Sequence, residues 1–284
     1  MIHQRRLLIT GASGDLGRPL SALAESAWQT TSTYHTRSDV GGGTPVRINL
    51  RDRAATLALV QETRPDVIIH AAASDRSPDM AATNREAAQN ITAAAQAVGA
   101  RLIALSTDMV FDGTCPPYAE DDPPAPLSEY GRVKAENESF FLRAYDNCLV
   151  VRTSLIYDFT PDNRQAGWLL DTVRAGRRVT LFVDEVRNPV WSWNLAEALL
   201  ELAAGDATGI LHVAGPEPVT RWELGTVLLE ELGLDPAQAA EPVRAAEVAP
   251  HRPRDLTLCL DRATSLLRTS LLPLSAARDR ARRA

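Results

Sequence analysis

Tyr130 and Lys134 stand four residues apart in the run Tyr130-Gly131-Arg132-Val133-Lys134, a spacing that sets both on one face of a helix. An ammonium beside a phenol favours the phenolate and draws the tyrosine pKa below its usual value of ~10. Such a phenol is suited to deliver a proton to a carbonyl oxygen. The chain holds 30 Lys plus Arg, and Lys134 is the one lysine among them, the other 29 being arginine. A lysine kept where arginine is used everywhere else points to a task for a compact ammonium.

Three further segments add chemistry. Gly11-Ala12-Ser13-Gly14-Asp15-Leu16-Gly17 follows a short apolar run and opens a helical one. Glycines there allow a tight turn and let a diphosphate approach the backbone N–H groups at the helix start. The window in which an acid would grip the 2′-hydroxyl of NAD reads Tyr34-His35-Thr36-Arg37-Ser38, without an acid. Arg37, helped by Arg18, is instead placed to pair with a 2′-phosphate, which favours NADPH and leaves NADH as the alternative. Leu105-Ser106-Thr107-Asp108-Met109 closes another strand, and a hydroxyl of Ser106 or Thr107 at that strand end would hold the substrate carbonyl beside Tyr130.

The elements that must position these residues alternate. Short apolar runs at 7–10, 66–70, 101–106 and 148–153, with a β-prone run at 29–34, are separated by helical stretches at 18–27, 54–61 and 84–98. Strands apolar on both faces between helices predict a parallel sheet covered on both sides, a doubly wound α/β fold. Residues 115–126 hold five prolines and form a loop. Beyond 155 the alternation loosens, with helices near 194–204 and 221–232 and a strand at 210–213. The expectation is a dinucleotide-binding domain over 1–155 and a smaller substrate lobe over 156–284 whose strands and helices return to the core.

Composition excludes other classes. The 284 residues are 45% hydrophobic and 23% charged, with a net charge of −6, which is ordinary for a soluble globular chain and wrong for a nucleic-acid binder. No apolar run reaches the ~18 residues of a membrane span. The N-terminal apolar run is too short for a secretion signal, and three scattered cysteines suggest neither disulfides nor zinc. The chain is expected to be cytoplasmic, a monomer or homodimer. The arginines at 278–283 read as a solvated tail, and Asp108, Asp112, Asp121 and Asp122 as turn and loop solvation. Trp191, Trp193 and Trp222 are expected to pack the smaller lobe.

Taken together, Gly11 to Gly17, Ala71-Ala72-Ala73, Ser106-Thr107-Asp108-x-Val110-Phe111-Asp112-Gly113 and Tyr130-x-x-x-Lys134 resemble an extended short-chain dehydrogenase/reductase. More narrowly they resemble the dTDP-4-dehydrorhamnose reductase-like branch. Arg152-Thr153-Ser154, Asn188-Pro189-Val190, His212 to Pro216, Arg221 to Leu224 and Arg252-Pro253 extend the match from ~7 to 260. The resemblance implies a Rossmann-like domain in which Thr107, Tyr130 and Lys134 are catalytic. The cofactor would lie on Gly11, Ser13, Gly14, Asp15, Leu16, Gly17, Arg37, Asn49, Leu50, Ala71, Ala72, Ala73, Tyr130 and Lys134. The substrate, a sugar nucleotide or related small carbonyl compound, would meet Asp108, Met109, Leu155 and Arg187.

The chain departs from that pattern on the substrate side. Met109 and Leu155 stand where the branch usually has a tyrosine and a tryptophan, and residues 74–80 differ from its usual run. Tyr157 and Trp191 are the aromatic residues that would restore stacking. Met109 also lacks the proton-transferring acid of the related dehydratases, which leaves an epimerase and a non-catalytic regulatory subunit as the rival functions. The regulatory subunit that resembles this branch binds methionine adenosyltransferase.

Overall fold

The computed structural model describes residues 4–74 and 77–283. The start of the chain, Met1 to His3, and two residues of the divergent 74–80 segment, Asp75 and Arg76, lie outside them.

Six strands are β1 (Arg6–Thr10), β2 (Gln29–Tyr34), β3 (Thr44–Arg47), β4 (Val67–His70), β5 (Arg101–Thr107) and β6 (Cys148–Thr153). With the strand Gly209–His212 they form one parallel sheet, in the order Gly209–His212, β6, β5, β4, β1, β2, β3. Side chains alternate between two apolar layers, as the pleat requires. Leu7, Ile9, Val67, Ile69, Ile103, Leu105, Leu149 and Val151 pack with Leu20 of helix α1 (Gly17–Ala24) and with Leu195 and Leu199 of α6 (Ser192–Ala204). Leu8, Ile68, Leu102, Ala104, Cys148 and Val150 face the other way. They meet Val60 of α2 (Arg53–Thr63), Ala88 and Ile91 of α3 (Met80–Val98) and Phe141 of α4 (Glu129–Ala144). The doubly wound α/β fold expected from the alternation is therefore present.

A smaller lobe has its own core, built from Tyr157, Leu169, Leu181, Trp191, Leu224 and Leu228, with Trp193 and Trp222 packed against it. Helices α5 (Arg164–Arg174) and α7 (Arg221–Glu231) belong to this lobe.

Three features differ from the sequence reading. β3 was not expected, because glycines precede it and Pro45 lies within it, but a proline is tolerated on an edge strand. α5 was also missed, although Asn163 caps it by accepting the Gln165 N–H at 2.9 Å. The arginines near the C-terminus are not a solvated tail. Leu274–Ala281 is a helix, in which Arg278 reaches Glu230 at 3.0 Å and Arg280 pairs with Glu197, while Arg282 pairs with Glu231.

Candidate active site

The glycine turn, Arg37, Asn49 and Leu50, Ala71 to Ala73 and Thr107 follow or close the carboxyl ends of the parallel strands. The strand order reverses between β1 and β4, the usual ligand crevice of such sheets. Tyr130 and Lys134 stand on α4, and Arg187 lies outside that sheet. The glycine segment joins β1 to α1. Gly11 has φ +72°, and a Cβ there would lie 2.8 Å from the Ala72 backbone, so only glycine lets this turn press against the loop after β4. A Cβ on Gly17 would lie 2.1 Å from the Gly11 carbonyl oxygen, so α1 begins directly under the turn. Ala71 and Ala72 are fixed by N–H donation to the Thr10 carbonyl at 3.2 Å and hydroxyl at 3.3 Å.

Arg37 lies over this loop, donating from Nη2 to the Ser13 carbonyl at 3.0 Å while remaining exposed. Arg18 is committed elsewhere, 3.1 Å from Asp39 and 3.6 Å from Asp162. Asp15 accepts the Arg164 N–H at 3.1 Å, so the start of α5 touches the glycine turn. Asn49 is exposed and accepts the Arg51 N–H at 3.1 Å, and the Leu50 carbonyl accepts from Asn90 at 2.9 Å.

At the end of β5 the two hydroxyls separate. Ser106 is buried and donates to Glu138, which also takes both arms of the buried Arg152 guanidinium. That engagement removes Ser106 from the expectation that either hydroxyl holds the substrate. Thr107 is only partly buried; its hydroxyl accepts the Met109 N–H at 3.2 Å and caps a single 3₁₀ turn, Asp108–Val110.

Helix α4 starts at a Ser128 cap, whose hydroxyl accepts the Gly131 N–H at 3.0 Å. A Cβ at Gly131 would lie 2.2 Å from the Met109 carbonyl oxygen. The first turn of α4, which carries Tyr130, therefore rests on the turn that follows Thr107. Gly131 was not singled out in the sequence, yet its place between Tyr130 and Lys134 was visible there. One helical turn further, Lys134 is buried and donates to the Leu105 carbonyl. Burial lowers its pKa to about 8, against the opposing pull of the Glu138 carboxylate. His70, at the end of β4, is lowered to about 3 by burial and by the Lys134 charge and stays neutral, with Nδ1 2.8 Å from the Thr10 hydroxyl.

Asp108 was expected to be a solvated turn residue and, by the resemblance, to meet the substrate; the structure corrects the first expectation by burying it. Its Oδ2 accepts from the Ser154 hydroxyl at 2.5 Å and stands 3.6 Å from Arg187 Nη1. Burial pushes its carboxyl up, with Arg187 and Ser154 pulling back. Asp112 stays at the surface in a turn, accepting from Thr114 and from the Tyr118 hydroxyl at 2.7 Å. Met109 and Leu155 are half-buried. Tyr157 and Trp191 are buried in the core of the smaller lobe, so neither presents a face for stacking.

Among the described residues no helix is long and apolar enough to cross a membrane. The family model described as RmlD substrate binding domain matches residues 5–278. Methionine adenosyltransferase 2 subunit beta of Xenopus tropicalis is 33% identical over 259 residues, covering 85% of this chain and 76% of its own length. A probable low-salt glycan biosynthesis reductase of Haloferax volcanii is 31% identical over 267 residues, covering 89% of this chain and 88% of its own. The crystal structure of a hypothetical dTDP-4-dehydrorhamnose reductase from Sulfolobus tokodaii superimposes with TM-score 0.80 at 32% identity, over 95% of this chain and 97% of that one.

Proposed function

The chain belongs to the RmlD substrate-binding-domain family of extended short-chain dehydrogenases/reductases, and from that premise we propose that it is an NADPH-dependent carbonyl reductase. Residues 1–155 carry the cofactor in this reading, and residues 156–284 mostly shape the substrate side. The observation that supports it best is the seating of Gly131 on the Met109 carbonyl. It sets the tyrosine and lysine of α4 beside the free end of β5.

Gly11, Ser13, Gly14, Asp15, Leu16 and Gly17 would hold the dinucleotide, Arg37 its 2′-phosphate, and Asn49 and Leu50 its adenine. Ala71, Ala72 and Ala73 bound its other side. When bound there it supplies the hydride. Thr107 donates a hydrogen bond to the substrate carbonyl oxygen and so fixes its position. Tyr130 gives that oxygen its phenolic proton as the carbon is reduced, so C=O becomes CH–OH. Lys134, held on the Leu105 carbonyl, stabilises the phenolate that remains and also meets the nicotinamide ribose. Below its pKa of about 8 the ammonium predominates, which is the state this role needs.

The substrate is a carbonyl compound other than the usual thymidine nucleotide-sugar. Met109 and Leu155 offer apolar area without a flat ring face, and buried Tyr157 and Trp191 do not replace one. Base–aromatic stacking contributes about 1–3 kcal/mol per platform, so a dTDP-sugar should bind tens- to hundreds-fold more weakly than it does where both aromatics are present. In this reading the protein is cytoplasmic, a monomer or homodimer, with no nucleic-acid or membrane partner. Following NADPH absorbance over a panel of sugar nucleotides and small ketones tests the activity, and oxidation of NADPH by none of them would remove it.

A second reading is favoured by the relatives named as methionine adenosyltransferase 2 subunit beta: a regulatory subunit on the same fold. Co-elution with a methionine adenosyltransferase catalytic chain, together with an inert carbonyl panel, would select it.

A further inference from the structure

Where the smaller lobe meets the turn after β5, the guanidinium groups of Arg187 and Arg252 both pair with the buried Glu185 carboxylate, while the Arg221 guanidinium donates from Nη2 to Gln165 at 3.0 Å. Glu185 is buried and accepts from Arg187 Nη2 at 3.2 Å and from Arg252 Nε at 2.8 Å. Arg221, in the first turn of α7, is fastened to the same residue through its backbone N–H, 2.9 Å from the Glu185 carbonyl. Burial pushes the Glu185 carboxyl up, but the Arg252 hydrogen bond and the three positive charges outweigh it and hold it below its usual value. The second carboxyl, Asp108, is pushed the other way by its own burial, with Arg187 and Ser154 pulling back.

The donors are unevenly met as well. Arg187 Nη1 and Arg221 Nη1 are closed off from solvent and make no hydrogen bond among the described residues. Arg187 Nη1 is 3.6 Å from Asp108, beyond a good hydrogen bond. Its Nη2 also touches Met109 Sδ at 3.4 Å, and a thioether is a weak acceptor. A guanidinium keeps its charge when buried, and its planar fork matches an oxyanion with two oxygens. Met109 is unbranched and adaptable, so the sulfur can turn aside to uncover that fork.

We propose that Arg187 and Arg221 form a receptor for an oxyanion, so that the substrate is a carbonyl compound carrying a carboxylate or phosphate group close to the carbon that is reduced. The placement follows from Asp108, which lies directly after Thr107 and beside Arg187. The inference rests on the reductase reading for the word substrate, while the receptor itself is a property of the two arginines.

The test is calorimetric titration of the NADP-loaded protein with three probes. Oxamate is a carboxylate that is not reduced, inorganic phosphate is the second anion, and propionamide is an uncharged control. One or both anions should bind saturably and propionamide should not. The better-bound anion identifies the group. Arg221→Gln and Arg187→Lys should each weaken that anion about tenfold or more, the loss expected for a charge-assisted bond, while NADP affinity stays the same. Arg187→Lys keeps a positive charge beside Asp108 and so guards against a variant that fails to fold. Failure of both anions to bind, or binding that both variants leave untouched, overturns the receptor. Anion binding with no turnover of any carbonyl compound would retain the receptor and discard the reductase reading.

Discussion

At the scale of single residues, the cofactor preference depends on Arg37. Its guanidinium is exposed and reaches over the glycine turn to the Ser13 carbonyl, and no acid stands in the preceding window to hold a 2′-hydroxyl. Arg37→Ala should therefore weaken NADPH roughly ten- to a hundredfold, the equivalent of about 1.5–3 kcal/mol for a charge-assisted bond, and leave NADH nearly unchanged. Comparing the two dissociation constants in the native protein and the variant checks this, and equal affinities in the native protein would sink it. Lys134 sets a second expectation. Its pKa is lowered from 10.5 to about 8 by burial, so activity should fall as pH rises through about 8 and the ammonium is lost. The effect on folding has the opposite sign. Between about 8 and 10.5 the unfolded chain binds the lysine proton more tightly than the folded one, so this group adds stability as pH climbs through that window. A pH–rate profile without a basic limb near that value would place the catalytic ammonium elsewhere. Neutral His70, at about 3, contributes no limb.

At the scale of elements, the site depends on how closely α4 can approach the turn after β5. Gly131→Ala puts a methyl group 2.2 Å from the Met109 carbonyl oxygen, a distance that backbone atoms must move to relieve. The helix start should shift and carry Tyr130 with it. Turnover should drop by about a hundredfold or more, as for a misplacement of ~1 Å, with a smaller loss of thermal stability and intact cofactor binding. Steady-state rates alongside a melting curve and an NADPH titration would show it, and an unchanged kcat would mean that the packing does not position the tyrosine. The Tyr-x-x-x-Lys spacing was readable in the sequence because a helix fixes it locally. The role of Gly131 was not, because it depends on a carbonyl at position 109 brought up by tertiary packing. Ser106 and Thr107 likewise looked equivalent until the strand turned Ser106 inward to Glu138.

At the scale of the whole molecule, the parallel sheet was legible from strands apolar on both faces, and the segments around the strand-order reversal followed from it. What escaped were features whose causes lie far away in the chain. The arginines near the C-terminus read as a tail because their glutamate partners stand 47 to 83 residues earlier. Arg187 and Asp108 gave no local sign of meeting, since they lie far apart in the chain. The account stands on the carboxyl ends of the parallel strands being a reductase site. Single-turnover oxidation of bound NADPH by a substrate found in the carbonyl panel, compared between the native protein and Tyr130→Phe, tests it most directly. Removing the phenolic hydroxyl while keeping the ring should slow the step by ~10² or more, the scale of general-acid catalysis, with NADPH affinity unchanged. A Tyr130→Phe protein that oxidises NADPH at the native rate would contradict the account.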